Sequence, residues 1–403
     1  MADLTHWIEF GTAAERTETA QRWNRLWSQS TSRLPVSRFE QIELWGSTFV
    51  PGNPVRGLIL ERDGRWVAGW PLLTRRIKGV LPVWDVPHDD WTGTHELLVA
   101  GDVSHEPAVY DRMLVALRAE RRSLLRIPQI ATNSAAAQGL IQALARQGLA
   151  VDVAPRHDVG LIEFTGPSAP ADWETYQAAW SGNFRRQLRK MTRRAEELGG
   201  IELVVHRPTA ADDVASLIRQ GFEIEDRSWK GRSGSSVLRT PGMLEYFTHQ
   251  ARLLAEQREL ILLFLKHADK LIAFEYGWSC RGVYYSPKVG FDEEFSHLSP
   301  GQMIRQLWIE RLFSERSHEV FDFSGPIAEA TAKWATASYA LARIVAATSG
   351  WGNSLLASHR LATKIRSAAV SGRSKLRQIA PGWLKRPAEN AGGLNREPRP
   401  APR

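Results

Sequence analysis

Three stretches of this 403-residue chain carry residue types that could do chemistry. The first is Asn183 to Arg194, NFRRQLRKMTRR, with six basic residues in twelve. As a helix it puts Phe184, Leu188 and Met191 on one stripe and the bases on the other faces. That pattern fits a solvated amphipathic surface or a site for phosphate or another polyanion. The second is Glu223 to Gly231, EIEDRSWKG, which reads as a helix end with Gly231 as a C-cap residue. Glu225 and Trp229 are four apart and fall on one face. A carboxylate desolvated by a large ring suits a general base, and an exposed carboxylate cluster is the plainer reading. The third runs from the strand Val283 to Val289 through Asp292 to Leu298-Ser299-Pro300-Gly301-Gln302 and a helix. Pro300 suits a first helical turn, and free N–H groups with the helix dipole make that terminus attractive to an anion. Strand alternation puts Tyr284 and Tyr285 on opposite faces, so only one of them reaches a given site.

Other patterns narrow the field. Pro87-His88-Asp89-Asp90-Trp91 reads as a turn, with a pocket loop as the alternative. The 11 histidines show no metal-ligand spacing, and neither His-Glu-x-x-His nor Gly-x-Ser-x-Gly occurs, so zinc or serine hydrolysis is not expected and no metal site is predicted.

Elements must position these residues. Helices are predicted at Ala13 to Trp27 and Ser37 to Trp45, so the first 50 residues read as helical. A hairpin follows, Gly57 to Arg62 and Trp66 to Leu73, turning at Asp63-Gly64. Pro82 to Thr94 reads as a loop. Then come a helix near Pro107 to Arg121, a strand at Leu124 to Ile127, a helix at Ser134 to Gln147 and a strand at Leu149 to Val153. Thr165 to Pro170 reads as a linker. The second half gives helices at Trp173 to Trp180, Asn183 to Leu198, Ala210 to Trp229, Pro241 to Gln257 and Pro300 to Phe313. Its strands are Ile201 to His206, Leu260 to Lys266, Leu271 to Trp278, Gly282 to Val289, Glu319 to Phe323 and Tyr339 to Ala347. A strand–helix–strand unit spans Val283 to Phe323. The mixture predicts an α/β or α+β chain.

Composition agrees with a globular body: 43% hydrophobic and 24% charged residues. The net charge of +8 sits in the tail. Residues 355–403 hold 11 Lys/Arg and 2 Asp/Glu, and residues 1–354 hold 41 and 42. A nearly neutral body argues against an electropositive nucleic-acid-binding surface. The tail's Gly392-Gly393 and Pro398, Pro400 and Pro402 read as disorder. One cysteine, Cys280, fits a reducing compartment. The longest apolar run, Leu260 to Leu265, is far below the roughly 20 residues of a membrane span. The charged N-terminus lacks a secretory h-region, so the protein is expected to be cytoplasmic.

The runs FRRQLRKMTRRAEELGG, EDRSWKG, KVGFDEEFSHLSPGQMIRQLWIERL and FDFSGP…AKW, in that order, resemble one family. It is the GNAT-superfamily acetyltransferases of cellulose and exopolysaccharide biosynthesis, the CelD/BcsL type. The N-terminal run GRWVAGWPLLTRR is similar to that family's first half. The likeness covers roughly residues 10–345 and is strongest over 180–334. It implies tandem GNAT-like domains in a Fem-like arrangement: a degenerate one at 1–165, the site-bearing one at 170–350 and a basic tail at 351–403. It implies acyl transfer from acetyl-CoA or another acyl-CoA as co-substrate, with no resident cofactor, to a small-molecule or saccharide amine. Glu225 is then expected to be the base, with Asp292 in reserve, and Tyr284 or Tyr285 the acid. The turn Ser299-Pro300-Gly301-Gln302 would hold the donor phosphates, with one glycine where the usual acetyltransferase turn has two small residues. Trp229, Lys230, Arg185, Arg189 and Lys333 would contact substrate. Two alternatives stand beside this: a Fem-like transferase using aminoacyl-tRNA at the Arg185 to Arg194 helix, and a non-catalytic scaffold. In either case the basic tail would suit an anionic membrane surface or an acidic partner.

Overall fold

The structure is a computed structural model that describes residues 3–10, 16–77 and 79–361. Strand β1 (Leu4–Glu9) precedes helices α1 (Arg16–Gln29) and α2 (Phe39–Phe49). Strands β2 (Arg56–Arg62) and β3 (Arg65–Ile77) turn at Asp63 and Gly64, both at positive φ (55° and 78°), as a two-residue hairpin turn requires. Then come β4 (Leu81–Asp85), β5 (His88–Asp89), β6 (Gly93–Thr94), β7 (Leu98–Val99), α3 (Pro107–Ala119), β8 (Leu124–Ala131), α4 (Ala135–Arg146) and β9 (Val151–Glu163). The second half runs α5 (Trp173–Ala178), α6 (Gly182–Glu197), β10 (Glu202–His206), α7 (Val214–Asp226), α8 (Trp229–Arg232), α9 (Met243–Glu256), β11 (Leu260–His267) and β12 (Lys270–Cys280). It closes with β13 (Val283–Phe291), α10 (Pro300–Glu315), β14 (Val320–Pro326), α11 (Glu329–Ala332) and β15 (Ala337–Ala347).

One mixed sheet runs β1-β2-β3-β4-β8-β15-β9-β14-β13-β12-β11-β10, with β7 on β3, while β5 and β6 pair with each other. Its two parallel joints are β4 with β8 and β13 with β14, bridged by α3 and α10 respectively. Each half therefore repeats one pattern: an antiparallel run, a helical crossover and a parallel strand. The last strand of each half lies in the other's order. β9 pairs with β14, and β15 pairs with both β8 and β9. The two halves are thus hydrogen-bonded through exchanged strands, inside a compact unit of residues 1–353.

Apolar residues fill both faces of this sheet. Trp23, Trp45, Trp70, Phe222 and Tyr276 belong to one core, which α1, α2, α3, α4, α7 and α9 also feed. Trp180, Phe184, Tyr284, Trp308 and Trp334 belong to the other, shared with α5, α6 and α10. In α6 the stripe Phe184, Leu188, Met191 is buried, as the spacing predicts.

The structure differs from the sequence reading in several places. Leu4–Glu9 is a strand on β2 rather than part of a helical N-terminus. Leu81–Asp85, read as loop, pairs in parallel with β8. The strand read at Leu149 to Val153 instead runs from Val151 to Glu163, because β15 and β14 supply partners along it. The long helix Ala210 to Trp229 breaks after Asp226. There the Ser228 hydroxyl donates to the Glu225 carbonyl (2.6 Å) and accepts from the Lys230 N–H (3.1 Å), satisfying groups that helix continuation would use. Glu225 and Trp229 thus do not share a helical face, and Gly231 lies within α8 rather than capping α7.

The second unit is 354–403; its residues 354–361 are helical, and the rest of the predicted basic tail lies outside the described residues. Among the described residues no helix is long and apolar enough to cross a membrane.

Candidate active site

β13 and β14 pair in parallel for three residues, Val283–Tyr285 against Val320–Asp322. Beyond them both strands leave the regular ladder. On β13, Ser286 and Pro287 together oppose the single residue Gly277 of β12, forming a bulge. Pro287 has no N–H to contribute to a ladder. On β14 the register shifts after Asp322, and Ser324 takes a left-handed φ of 56°. The two strands therefore stop pairing beyond Tyr285 and Asp322. The bulge also resets alternation: Tyr285 stands opposite Trp278 and Lys288 opposite Tyr276, so both come to one sheet face.

On that face lies a cavity of about 640 Å³. The second half lines it with Tyr285, Pro287, Lys288, Asp322, Ser324 and Tyr339. The first half contributes Ser30 to Leu34, the β5–β6 hairpin and the end of β8. The Pro87 to Trp91 run, read as a plain turn, is therefore largely cavity wall, since His88 to Trp91 line it. Asp89 holds this hairpin together: Oδ1 accepts the Trp91 N–H (2.6 Å), and Oδ2 accepts from Trp45 Nε1 (2.5 Å) and the Thr92 hydroxyl (2.6 Å). His88 Nδ1 is 3.0 Å from the Gly93 carbonyl and 2.9 Å from the Thr94 hydroxyl, which ties the two strands of the hairpin together.

Burial pushes up two acids that line the cavity: Glu96, which accepts from the Ser32 hydroxyl, and Asp322, which lies at the end of the parallel pair. The Asp322 carboxyl is pushed up to about 6, against the lowering effect of the Ser324 N–H (2.6 Å) and the Tyr339 hydroxyl (3.0 Å). Burial likewise holds the Tyr285 and Tyr339 hydroxyls protonated well above the usual tyrosine range. A buried carboxylate that titrates near neutrality, beside two phenolic O–H groups, can take a proton from a bound amine and donate hydrogen bonds to a developing oxyanion.

Residues 182–333 match the family model described as acetyltransferase (GNAT) domain. That stretch, from α6 through α11, is what the chain has in common with the GNAT acetyltransferase domain. Among solved structures, FemX is similar at 12% identity over 81% of this chain and 95% of its own, with a TM-score of 0.54. A conserved protein of unknown function from Bacteroides thetaiotaomicron VPI-5482 is similar at 10% identity over 81% of this chain and 97% of its own, with a TM-score of 0.51. At these identities the likeness bears on the fold, a mixed α/β, Fem-like one. No curated protein matches the sequence.

Within the matched stretch 182–333, the residues singled out from sequence fall into separate places. Tyr285 reaches the cavity; Tyr284 is on the other face, donating to Glu275 Oε1 (2.7 Å) and packing on Trp308. Glu225 is 2% exposed and does not line the cavity; it pairs with Lys230 Nζ (2.7 Å) and accepts the Val237 N–H (3.1 Å). Lys230 also donates to the Val289 carbonyl (2.9 Å). Asp292 accepts from Arg227 Nε (2.7 Å) and from the Glu294 N–H (3.1 Å). Trp229 is 54% exposed. Arg189 is exposed on α6 and Arg185 half-buried, and Lys333 pairs with Glu329 at the surface.

Ser299, Pro300, Gly301 and Gln302 form the N-terminal turn of α10. The Ser299 carbonyl accepts the N–H groups of Gln302 (2.9 Å) and Met303 (3.1 Å), and Gln302 Oε1 accepts from Trp334 Nε1 (2.8 Å). A side chain built on Gly301 would meet only the Phe291 ring, at 3.5 Å, so the turn has open space beside it. Asp322, Tyr339 and Lys288 were not singled out from sequence as site residues, and Trp91 only within the alternative pocket-loop reading. The available signal was Pro287, a proline inside an otherwise regular strand, which marks a bulge.

Proposed function

We propose that the protein is an N-acyltransferase that moves an acyl group from acyl-CoA to an amine held in the cavity. The observation that carries this is the end of the parallel β13–β14 pair, where the strands part beside a buried carboxylate that titrates near 6. A donor thioester between the parted strands would meet an amine entering from the cavity. The Asp322 carboxylate takes the ammonium proton, and the free amine attacks the thioester carbonyl. A C–N bond forms, the C–S bond breaks, and the second proton lost by the nitrogen passes to the departing thiolate, which leaves as the thiol, while Asp322 returns its proton to solvent. Tyr285 is the O–H donor that steadies the oxyanion. The α10 turn at Pro300-Gly301 would receive the donor's phosphates. On this reading 1–165 and 170–350 are two GNAT-like halves whose juncture forms the acceptor site. Trp70, Trp91 and Trp278 offer ring faces that suit a saccharide amine.

The test is thiol release from acetyl-CoA and longer acyl-CoAs with a panel of amines. Amine-dependent release by the wild-type chain, reduced by about two to four orders of magnitude in Asp322→Asn, is expected. No release with any donor would discard the reading. The exposed bases of α6 favour one second reading, an aminoacyl-tRNA donor. Salt-sensitive tRNA binding that is lost on replacing Arg185 and Arg189 would select it.

A further inference from the structure

Lys288 stands out in the cavity wall. Its Nζ lies 4.1 Å from the centre of the Trp91 ring and 5.4 Å from that of Phe247, contacts that stabilise a cation but accept no conventional hydrogen bond. The charged groups around it are Glu225 and Lys230 from the α7–α8 corner and Asp89 from the hairpin. Both Glu225 oxygens are taken, one by Lys230 and one by the Val237 N–H. Both Asp89 oxygens are taken by Trp45, Trp91 and Thr92. Lys288 thus presents an ammonium with three donors and no hydrogen-bond acceptor among the described residues, on a wall of a 640 Å³ space. Burial lowers this amine to about 8, which still leaves it cationic at neutral pH.

Lys288 is half-buried, and an ammonium partly withdrawn from water on an apolar wall is better satisfied by an anionic partner. We infer that Lys288 is the anchor for an anionic group of the acceptor, so that the cavity takes an amine that also bears a carboxylate or a phosphate. The inference rests on the acyl-transfer reading for the amine end, which faces Asp322. Lys288 lies across the bulge from Tyr285, the register partner of Asp322; the two stand opposite residues two apart on β12, a spacing of about 7 Å along the strand. Opposite charges at the two ends of the cavity would orient a short zwitterion with its amine towards the parted strands.

The experiment compares 4-aminobutyrate, 3-aminopropylphosphonate and butylamine as ligands of the full chain, by calorimetry or ligand-observed NMR at millimolar concentration. The wild type is expected to bind at least one anionic amine about 10- to 100-fold more tightly than butylamine, the range for losing one charge-assisted hydrogen bond. Whichever anion binds better identifies the headgroup. Lys288→Met should abolish that discrimination and Lys288→Arg should retain part of it, with melting curves confirming that both variants fold. Equal binding of all three probes, no binding of any, or discrimination that survives in Lys288→Met would each overturn the inference. Thiol-release assays run in parallel separate the two readings: Lys288-dependent anion binding without acyl transfer from any donor leaves the anchor standing and removes the acyltransferase.

Discussion

Asp322 couples activity to stability with opposite signs. Its folded-state carboxyl titrates near 6, above the ordinary 3.8, so folding favours the protonated form. That contribution to stability is full below the ordinary value and is lost as pH rises through about 6. Base activity does the reverse and should rise through about pH 6. Asp322→Asn is therefore expected to lose turnover yet melt higher than wild type at pH 8, with the gap closing towards pH 4. A variant that melts lower at pH 8 would show that the Tyr339 and Ser324 hydrogen bonds outweigh the buried charge. Glu225 differs. Its carboxylate is saturated by Lys230 and Val237, so Glu225→Gln should cost about 2–4 kcal/mol of stability by leaving Lys230 without its counter-ion. Turnover per folded molecule separates this structural role from a catalytic one. A fall by orders of magnitude with an unchanged melting temperature would restore Glu225 as the base.

Two glycines govern the elements around the parted strands. Gly277 stands opposite the β13 bulge, where an added Cβ would come within 2.4 Å of the Tyr284 hydroxyl and 2.9 Å of the Tyr285 carbonyl. Gly277→Ala is expected to destabilise by about 1–3 kcal/mol through overpacking. Tyr284→Phe in the same chain removes the closest atom and should offset part of that loss. If the two changes are simply additive in denaturant melts, the bulge is not what the glycine protects. Gly301 presents the opposite case, with Phe291 at 3.5 Å and otherwise open space. Gly301→Val should fold normally and weaken CoA binding in calorimetry. Unchanged CoA affinity would remove the α10 turn from the donor site.

Across the whole molecule, the halves are joined by more than strand exchange. Arg38 of the first half makes a two-pronged pair with Glu259 of the second, both contacts at 2.6 Å and both side chains mostly buried. Arg281 donates to the carbonyls of Ser30 (2.9 Å) and Ser32 (2.5 Å) beside the cavity. Residues 1–353 should therefore unfold in one cooperative transition. Arg38→Met is expected to cost about 3–5 kcal/mol, because Glu259 would keep a buried charge without a partner. Adding Glu259→Met should recover most of it. Two separated transitions in a calorimetric scan would instead show that each half folds alone.

Much of this was legible in the sequence. The Asp63-Gly64 hairpin, the amphipathic α6 and the β13–α10–β14 crossover follow from local rules: turn chemistry at positive φ, a 3.6-residue period and proline at a helix start. Short-range signals of this kind need only neighbours along the chain. The break after Asp226 was harder, because one serine hydroxyl competed with the helix against a strong apolar period. The exchange of β9 and β15 could not be read at all, since a strand's pattern records that one face is buried but not which strand lies beside it. The cavity depends on that pairing. Asp322 looks like any acid in a short strand until tertiary structure buries it beside Tyr285, gives it Tyr339 from β15 and closes the space with a hairpin more than 200 residues earlier. Sequence determined the elements and the GNAT-like order of the second half. Only the packing of the halves decided which carboxylate lost its water, because desolvation depends on the whole surroundings rather than on near neighbours in the chain.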